Sequence, residues 1–153
     1  MTPEGEVKAK ARKAIHAEGL YTFPVNQQGI GRRGIPDDMM LINGTFYFIE
    51  YKAHMRWDAN NKTALRTLPT VLQIIEMEKA RAQGAVTLAV DDKSVYEFCQ
   101  WIHEGLCYVQ KVPMFCVWDI TWSDYQRYRD ASALTARSMI AFPDGRHNPK
   151  VIR

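Results

Sequence analysis

The dipeptide Asn43-Gly44 constrains the fold more than any other feature, because it stands between two apolar runs. Both residues tolerate the positive φ angles of a type I′ turn, so the sequence predicts a two-residue β-hairpin. Strand pairing counted outward from the turn sets Asp37 opposite Glu50 at the open end of the hairpin. Lys52 follows Glu50 by two residues and shares its face of the strand, whereas Asp38 points to the opposite face.

These ionisable groups predict a metal site with an attendant lysine. Two carboxylates that face each other across a strand pair repel, and a divalent cation between them would remove that cost. Mg²⁺ and Mn²⁺ prefer carboxylate, carbonyl and water oxygens as ligands. A surface ion pair between Glu50 and Lys52 is the structural alternative, and the residues alone leave it open.

Length and composition bound the class of protein. The 153 residues, 46% of them hydrophobic, suffice for one domain with a core. No apolar run approaches the ~20 residues that span a bilayer, and the N-terminus lacks the layout of a secretory signal. The three cysteines lack Cys-x-x-Cys spacing and the four histidines lack ligand spacing. We therefore expect reduced thiols, a cytoplasmic location and no membrane partner.

Periodicity and chain breakers predict an α/β fold with a mixed central sheet and helices on both faces. The predicted helices span 3–19, 69–83, 94–103 and 123–137, and the strands outside the hairpin span 21–25, 85–90, 106–110 and 114–118. The strand, helix and strand between residues 45 and 90 form a crossover unit, which predicts that its two strands are parallel. The polar residues 53–67 are predicted to form a long loop.

Other polar residues stand where they suit either function or structure. Glu4 falls on the apolar edge of the first helix, where a favourable interaction with the helix N-terminus is the alternative to a site role. Lys8 belongs to a basic cluster that a solvated helix face explains as well as DNA does. Arg32 and Arg33 follow two glycines and precede the hairpin, so they suit a phosphate backbone or an ordinary surface connection.

Taken in order, these motifs resemble the PD-(D/E)XK nucleases, and more closely the VRR-NUC branch, especially its small stand-alone bacteriophage proteins. The matching stretches are Thr2-Pro3-Glu4, the loop from Gly29 to Asp37, Glu50-Tyr51-Lys52, Leu72-Gln73, and Gly84 to Val90. The resemblance covers about residues 2–98. It departs from the pattern in an insertion at residues 53–67 and in Asp38, where an apolar residue is usual.

The resemblance implies a metal-dependent endonuclease that hydrolyses DNA, with possible selectivity for four-way junctions or flaps. It implies one or two Mg²⁺ or Mn²⁺ ions held by Asp37, Glu50, the Tyr51 carbonyl and Glu4. Lys52 would act on the attacking water and the scissile phosphate. The DNA contacts would come from Lys8, Arg32 and Arg33.

Gln73 resembles the residue that orients the lysine or the water, although a simple helix-start role is the alternative. The resemblance also implies a restriction-endonuclease-like nuclease core over residues 1–100. Residues 101–153 would be a C-terminal extension packed on the same domain, with a possible dimer or DNA contact. A homodimer in the cytoplasm of a bacterial host is expected if a phage encodes the protein. Two other functions stay open, a catalytically silent nucleic-acid-binding module and a phage interaction protein that uses an aromatic C-terminal surface.

Overall fold

The computed structural model describes residues 1–25, 34–56 and 62–109, and the fold is given for these residues. The helices are α1 (Pro3–Ala17), α2 (Lys62–Leu65), α3 (Val71–Ala82) and α4 (Val95–His103). The strands are β1 (Tyr21–Pro24), β2 (Asp38–Ile42), β3 (Thr45–Tyr51) and β4 (Val86–Val90), and a 3₁₀ turn spans Leu106–Val109. Within the described residues, no helix is long and apolar enough to cross a membrane.

The hairpin forms in the predicted register. Asn43 and Gly44 have φ angles of 49° and 80°, as a type I′ turn requires. Ile42 pairs with Thr45, and the ladder of β2 and β3 continues from there to Asp38 opposite Ile49. The next position outward therefore brings Asp37 to the level of Glu50, with no bulge to shift the two strands.

The four described strands form one mixed sheet in the order β1-β2-β3-β4. The pairs β1–β2 and β2–β3 are antiparallel, and β3–β4 is parallel, as predicted for strands joined through a helical crossover. β1 lies at an edge and ends at Pro24, which lacks the N–H that an interior strand needs. The prediction of a mixed α/β fold is thus confirmed.

The core lies between one face of the sheet and the helices α1 and α4. Alternate residues of the central strands point into it, and Tyr47, Ile49 and Tyr51 of β3 are fully buried there. α3 packs against β4. Its residues line a groove together with Phe46 and Phe48, which alternate with the core residues of β3 and so face the other way. Helices therefore cover both faces of the sheet, as predicted.

Local capping sets the helix boundaries. The Thr2 hydroxyl accepts a hydrogen bond from the Gly5 N–H, and Pro3 opens α1 as predicted. α3 was predicted to open at Pro69, but Thr70 is its N-cap and the helix begins at Val71. The cap moves the start because the Thr70 hydroxyl accepts from the N–H of the third helical residue.

Two local predictions are wrong. Residues 53–67 are not an unbroken loop, because the short helix α2 forms within them and buries Ala64 completely. Within the strand predicted at 106–110, the described residues 106–109 form a 3₁₀ turn instead, since Gly105 has a φ of 70° and its carbonyl accepts from the Tyr108 N–H. The strand predicted at 114–118 and the helix predicted at 123–137 lie outside the described residues.

Candidate metal centre at the open end of the hairpin

Asp37 is held on both of its carboxylate oxygens. Its Oδ2 accepts a hydrogen bond of 2.9 Å from the backbone N–H of Tyr51, across the hairpin. Its Oδ1 lies 2.9 Å from the ammonium of Lys8 on α1. The Asp37 carbonyl accepts from the N–H of Val25, just after β1. Contacts from α1 and β3 therefore fix the carboxylate, and the contact from Val25 fixes the backbone of Asp37 at the end of the sheet.

Glu50 is a buried carboxylate beside another negative charge. It is 4% exposed, and its Oε1 accepts from Gln73 Nε2 at 2.6 Å and lies 3.4 Å from Lys52 Nζ. Burial and the charge of Asp37 raise the pKa of Glu50 to about 8, a rise that Lys52 opposes and that the charge of Glu4 increases. The predicted repulsion between the two carboxylates is therefore present, and a cation would relieve it.

Gln73 serves two roles at once. Its Oε1 accepts from the N–H of Thr70, which completes a capping box at the start of α3. Its Nε2 donates to Glu50, so the helix start and the site share one side chain. The resemblance implied that Gln73 orients Lys52 or a water molecule. In the structure Gln73 instead donates directly to Glu50. Lys52 lies near the same oxygen of Glu50, Oε1.

Glu4 lies on the site side of α1 without touching the two carboxylates closely. It is half-buried in the first turn of the helix, whereas Glu6 is exposed to solvent, as the periodicity predicts. Its charge contributes to the raised pKa of Glu50, which places it in electrostatic range. In the described part of the chain, the compact group of three potential ligands lies elsewhere, so Glu4, Asp37 and Glu50 do not converge on one point.

That compact group comprises His54, Asp91 and Asp92, whose ligand atoms lie within 4.8 Å of one another. His54 Nδ1 lies 2.8 Å from Asp92 Oδ1. Asp91 accepts from the Met55 N–H, from two N–H groups before α4 and from the Ser94 hydroxyl. Burial works against ionisation of Asp91, but these hydrogen bonds outweigh it and lower its pKa. Asp91 is therefore committed to the turn that starts α4.

Spacing along a single element does not predict this group, because its three residues come from two separate segments. The feature of the sequence that indicates this group is the position of its residues after two strands. His54 follows β3, and Asp91 and Asp92 directly follow β4. The carboxyl ends of parallel strands meet at one edge of a sheet, which is where α/β proteins commonly place polar sites.

Asp38 belongs to a buried network on the opposite face of the hairpin, the face that the alternation predicts. It is 2% exposed, and Arg12 donates to both of its oxygens at 2.7 and 3.0 Å. The Tyr51 hydroxyl also donates to it at 2.7 Å. Burial, together with the negative charge of Asp38, raises the pKa of Tyr51 well above its usual value, so the phenol stays a donor. The network ties β2 and β3 to α1 directly behind Asp37 and Glu50.

Gly34 brings the segment before β2 against the start of α3. Its φ is 82°, and a Cβ built on it would lie 2.4 Å from the backbone oxygen of Leu72. A residue with a side chain would meet backbone at that distance, so only glycine permits this approach. Leu72 precedes Gln73, and Asp37 lies three residues after Gly34. This contact therefore sets the spacing between the Asp37 segment and the helix that carries Gln73.

The three residues predicted to contact DNA have different outcomes. Lys8 is described, and its ammonium pairs with Asp37 and lies 5.8 Å from the centre of the Tyr51 ring. Arg32 and Arg33 lie outside the described residues. The role predicted for the Tyr51 carbonyl also stays a prediction. The contact between the Tyr51 backbone and Asp37 is made by the Tyr51 N–H and not by the carbonyl.

The donor set fits a hard divalent cation. Asp37 and Glu50 offer carboxylate oxygens, the ligands that Mg²⁺ and Mn²⁺ prefer, and they include no sulfur or imidazole. Mutual repulsion at a buried position gives the pair a reason to bind a cation. A groove of about 470 Å³ begins beside them at Pro36 and runs along α3 towards Gly44, but neither carboxylate lines it. The chemistry of the site therefore lies at the end of the groove.

No protein-family model, no curated protein and no solved structure matches this chain. The site must therefore be interpreted from its own geometry.

Proposed function

We propose that the chain is a metal-dependent nuclease that hydrolyses DNA phosphodiester bonds, with a restriction-endonuclease-like fold of the VRR-NUC type. The observation that carries the proposal is the arrangement at the open end of the hairpin. Asp37 is brought to the level of Glu50, Lys52 lies 3.4 Å from Glu50, and the charge of Asp37 helps to raise the pKa of Glu50 to about 8. Burial combined with a nearby like charge is a common arrangement at functional sites, and a cation bound between the two carboxylates would stabilise both.

Asp37 and Glu50 are the residues that would hold Mg²⁺ or Mn²⁺, and we assign to Glu4, whose charge acts on Glu50, a role through a metal-bound water. The cation would lower the pKa of a water molecule and neutralise charge on the phosphate. Gln73 fixes the Glu50 carboxylate by its 2.6 Å hydrogen bond and so presents it in one orientation. Tyr51 does the same for Asp37 through its backbone N–H.

We assign to Lys52 the role of acting on the attacking water and the scissile phosphate. Its side chain is 14% exposed, and its ammonium lies 3.4 Å from Glu50 Oε1. A positive charge at that position stabilises the negative charge that develops on the phosphoryl oxygens. DNA is the proposed substrate, with junctions or flaps as the preferred structures, and a homodimer is the proposed assembly.

The test compares the parent protein with Lys52→Met and with a control, Lys79→Met. Lys79 is on α3, its side chain is 49% exposed, and it pairs with Glu76 away from the two carboxylates. Plasmid, single-stranded, flapped and four-way-junction DNA are each incubated with Mn²⁺. We expect the parent and Lys79→Met to cleave at similar rates. Lys52→Met should fold and bind Mn²⁺ and DNA but barely cleave, because its effect is on the transition state.

Mn²⁺ affinity is measured by calorimetry, DNA affinity in Ca²⁺ and cleavage in Mn²⁺ on the same preparations. Cleavage by Lys52→Met within a few-fold of the parent would refute the assigned mechanism. If the parent binds DNA but cleaves none of the substrates with any metal, the chain is a silent nucleic-acid-binding module. If it binds neither DNA nor metal, an interaction protein is the remaining candidate.

A further inference from the structure

Lys8 holds the carboxylate to which the proposed function assigns a metal ion. It lies in the second turn of α1, and its Nζ is 2.9 Å from Asp37 Oδ1. The other oxygen of Asp37 already accepts the Tyr51 N–H. The ammonium of Lys8 therefore takes the oxygen that has no backbone donor, which is the one most available to a cation.

Two cations cannot share that position at low cost. A divalent ion bound to Asp37 Oδ1 would stand within a few ångströms of the Lys8 ammonium, and like charges at such distances repel strongly in a partly buried site. The side chain of Asp37 is 15% exposed, so water screens the repulsion only in part. Binding of the ion therefore requires Lys8 to move away.

Lys8 is held less tightly than Arg12, the neighbouring basic residue on the same face of α1. Arg12, four residues later, donates from two nitrogens to the buried Asp38 and is fixed there. Lys8 donates to a single carboxylate oxygen through a flexible stem, its ammonium lies 5.8 Å from the centre of the Tyr51 ring, and 27% of its side chain is exposed. Once released from Asp37 it has a path to solvent and to any phosphate beside the site.

We propose that Lys8 is an exchangeable cation of this site: its ammonium neutralises Asp37 before a divalent ion binds, leaves when the ion arrives, and then contacts a phosphate of the bound DNA. This inference rests on the proposed function, because it takes Asp37 to be a metal ligand. It adds an order of events, in which the lysine becomes available to DNA only after the metal has bound.

Calorimetry with Mn²⁺ tests the exchange directly. Lys8→Met removes the competing ammonium and keeps the apolar stem, so Mn²⁺ should bind about tenfold more tightly, the scale of one charge-assisted hydrogen bond. Lys8→Arg retains the charge and should stay near the parent affinity. Lys10→Met is the control, since Lys10 is on the same helix but its Nζ contacts Tyr96.

Salt and DNA binding separate exchange from simple charge repulsion. If Lys8 acted only as a distant positive charge, the gain in Lys8→Met would disappear at high salt and Lys10→Met would show part of it. With Ca²⁺ present, Lys8→Met should bind DNA more weakly, with a salt slope reduced by about 1, because one phosphate contact is lost. Without a divalent ion, the same variant should bind DNA as the parent does.

Each outcome decides the matter. An Mn²⁺ affinity in Lys8→Met equal to or weaker than that of the parent overturns the exchange while leaving the proposed metal site intact. A loss of DNA affinity that is equal with and without Ca²⁺ overturns the order of events. If the parent binds no Mn²⁺, the proposed function and the exchange fail together, which calorimetry on the parent alone reveals. Circular dichroism checks folding, and Lys8→Gln repeats the test if Lys8→Met unfolds.

Discussion

Replacing Glu50 by Gln in the metal-free protein should change how stability depends on pH. Glu50 is 4% exposed, and burial with the nearby charge of Asp37 raises its pKa to about 8 in the folded state, from an ordinary 4.5. The folded protein therefore keeps the Glu50 proton over a pH range in which the unfolded chain has lost it. Stability falls with rising pH wherever the native state binds more protons than the unfolded state.

The sign and the size of the change in the free energy of unfolding follow from the two pKa values of Glu50. Below pH 4.5 the Glu50 carboxyl is neutral in both the folded and the unfolded state, so its contribution to the free energy of unfolding is fully present. It is lost progressively as pH rises and is gone above about 8. At ~1.4 kcal/mol per pH unit, the total loss is on the order of 5 kcal/mol. Since small domains have ~5–15 kcal/mol of stability, the effect is large even if relaxation halves it.

Glu50→Gln removes this loss and keeps the shape of the side chain. Its amide oxygen can still accept the hydrogen bond from Gln73. We expect the variant to equal the parent near pH 4.5 and to exceed its free energy of unfolding by several kcal/mol above pH 8. Urea denaturation in EDTA across this range measures the difference, and Glu104→Gln at an exposed position serves as the control.

Two parallel curves of stability against pH would refute the reasoning. They would mean that Glu50 ionises normally in the folded protein, so the two carboxylates would not oppose each other. Repeating the denaturation with Mn²⁺ in place of EDTA provides a second check. Mn²⁺ should restore the parent's stability at high pH, because the ion binds the folded state and removes the repulsion. The variant, which lacks that carboxylate, should gain much less.

Three further predictions concern the surroundings of the site. Gly34→Ala should lose more than the ~1–2 kcal/mol that a positive φ costs and should weaken Mn²⁺ binding, whereas Gly19→Ala, whose Cβ would meet nothing within 4 Å, should lose only the φ cost. Arg12→Met should lose about 3–5 kcal/mol in urea denaturation by leaving the Asp38 carboxylate buried without its cation, and adding Asp38→Asn should recover part of the loss. Glu4→Gln should fold normally yet lose most cleavage activity, and full activity would return Glu4 to the status of a helix-end charge.

Local chemistry made the hairpin predictable. Asn43-Gly44 fixes the turn, the turn fixes the register, and alternation then assigns a face to every residue up to Asp37 and Glu50. The parallel pairing of β3 and β4 was predictable because a helix stands between two apolar strands. The short run at 106–110 was not, since a few apolar residues fit a strand or a tight turn equally well.

The side-chain partners of α1 depend on how the helix lies across the sheet, and periodicity does not define that angle. The sequence marked Lys8 as basic but not as the partner of Asp37. Gln73 shows a similar limit. A helix-start role was one of the two predicted for it, and the capping box with Thr70 supplies that role, but the hydrogen bond from Nε2 to Glu50 depends on the packing of α3. The sequence thus brought Asp37, Glu50 and Lys52 together but left the partners of Lys8 and Gln73 open.

The two faces of the hairpin hold charge clusters that differ in how their carboxylates are paired. On the inner face, Arg12 and the Tyr51 hydroxyl satisfy both oxygens of Asp38. On the outer face, Lys8 takes one oxygen of Asp37, while Glu50 stays buried next to a second carboxylate. α1 supplies both basic residues, four positions apart. Lys52 lies 3.4 Å from Glu50, so each carboxylate of the outer face also has a cation beside it. The difference between the faces is that the charge of Asp37 helps to raise the pKa of the buried Glu50, and a divalent cation would remove that cost.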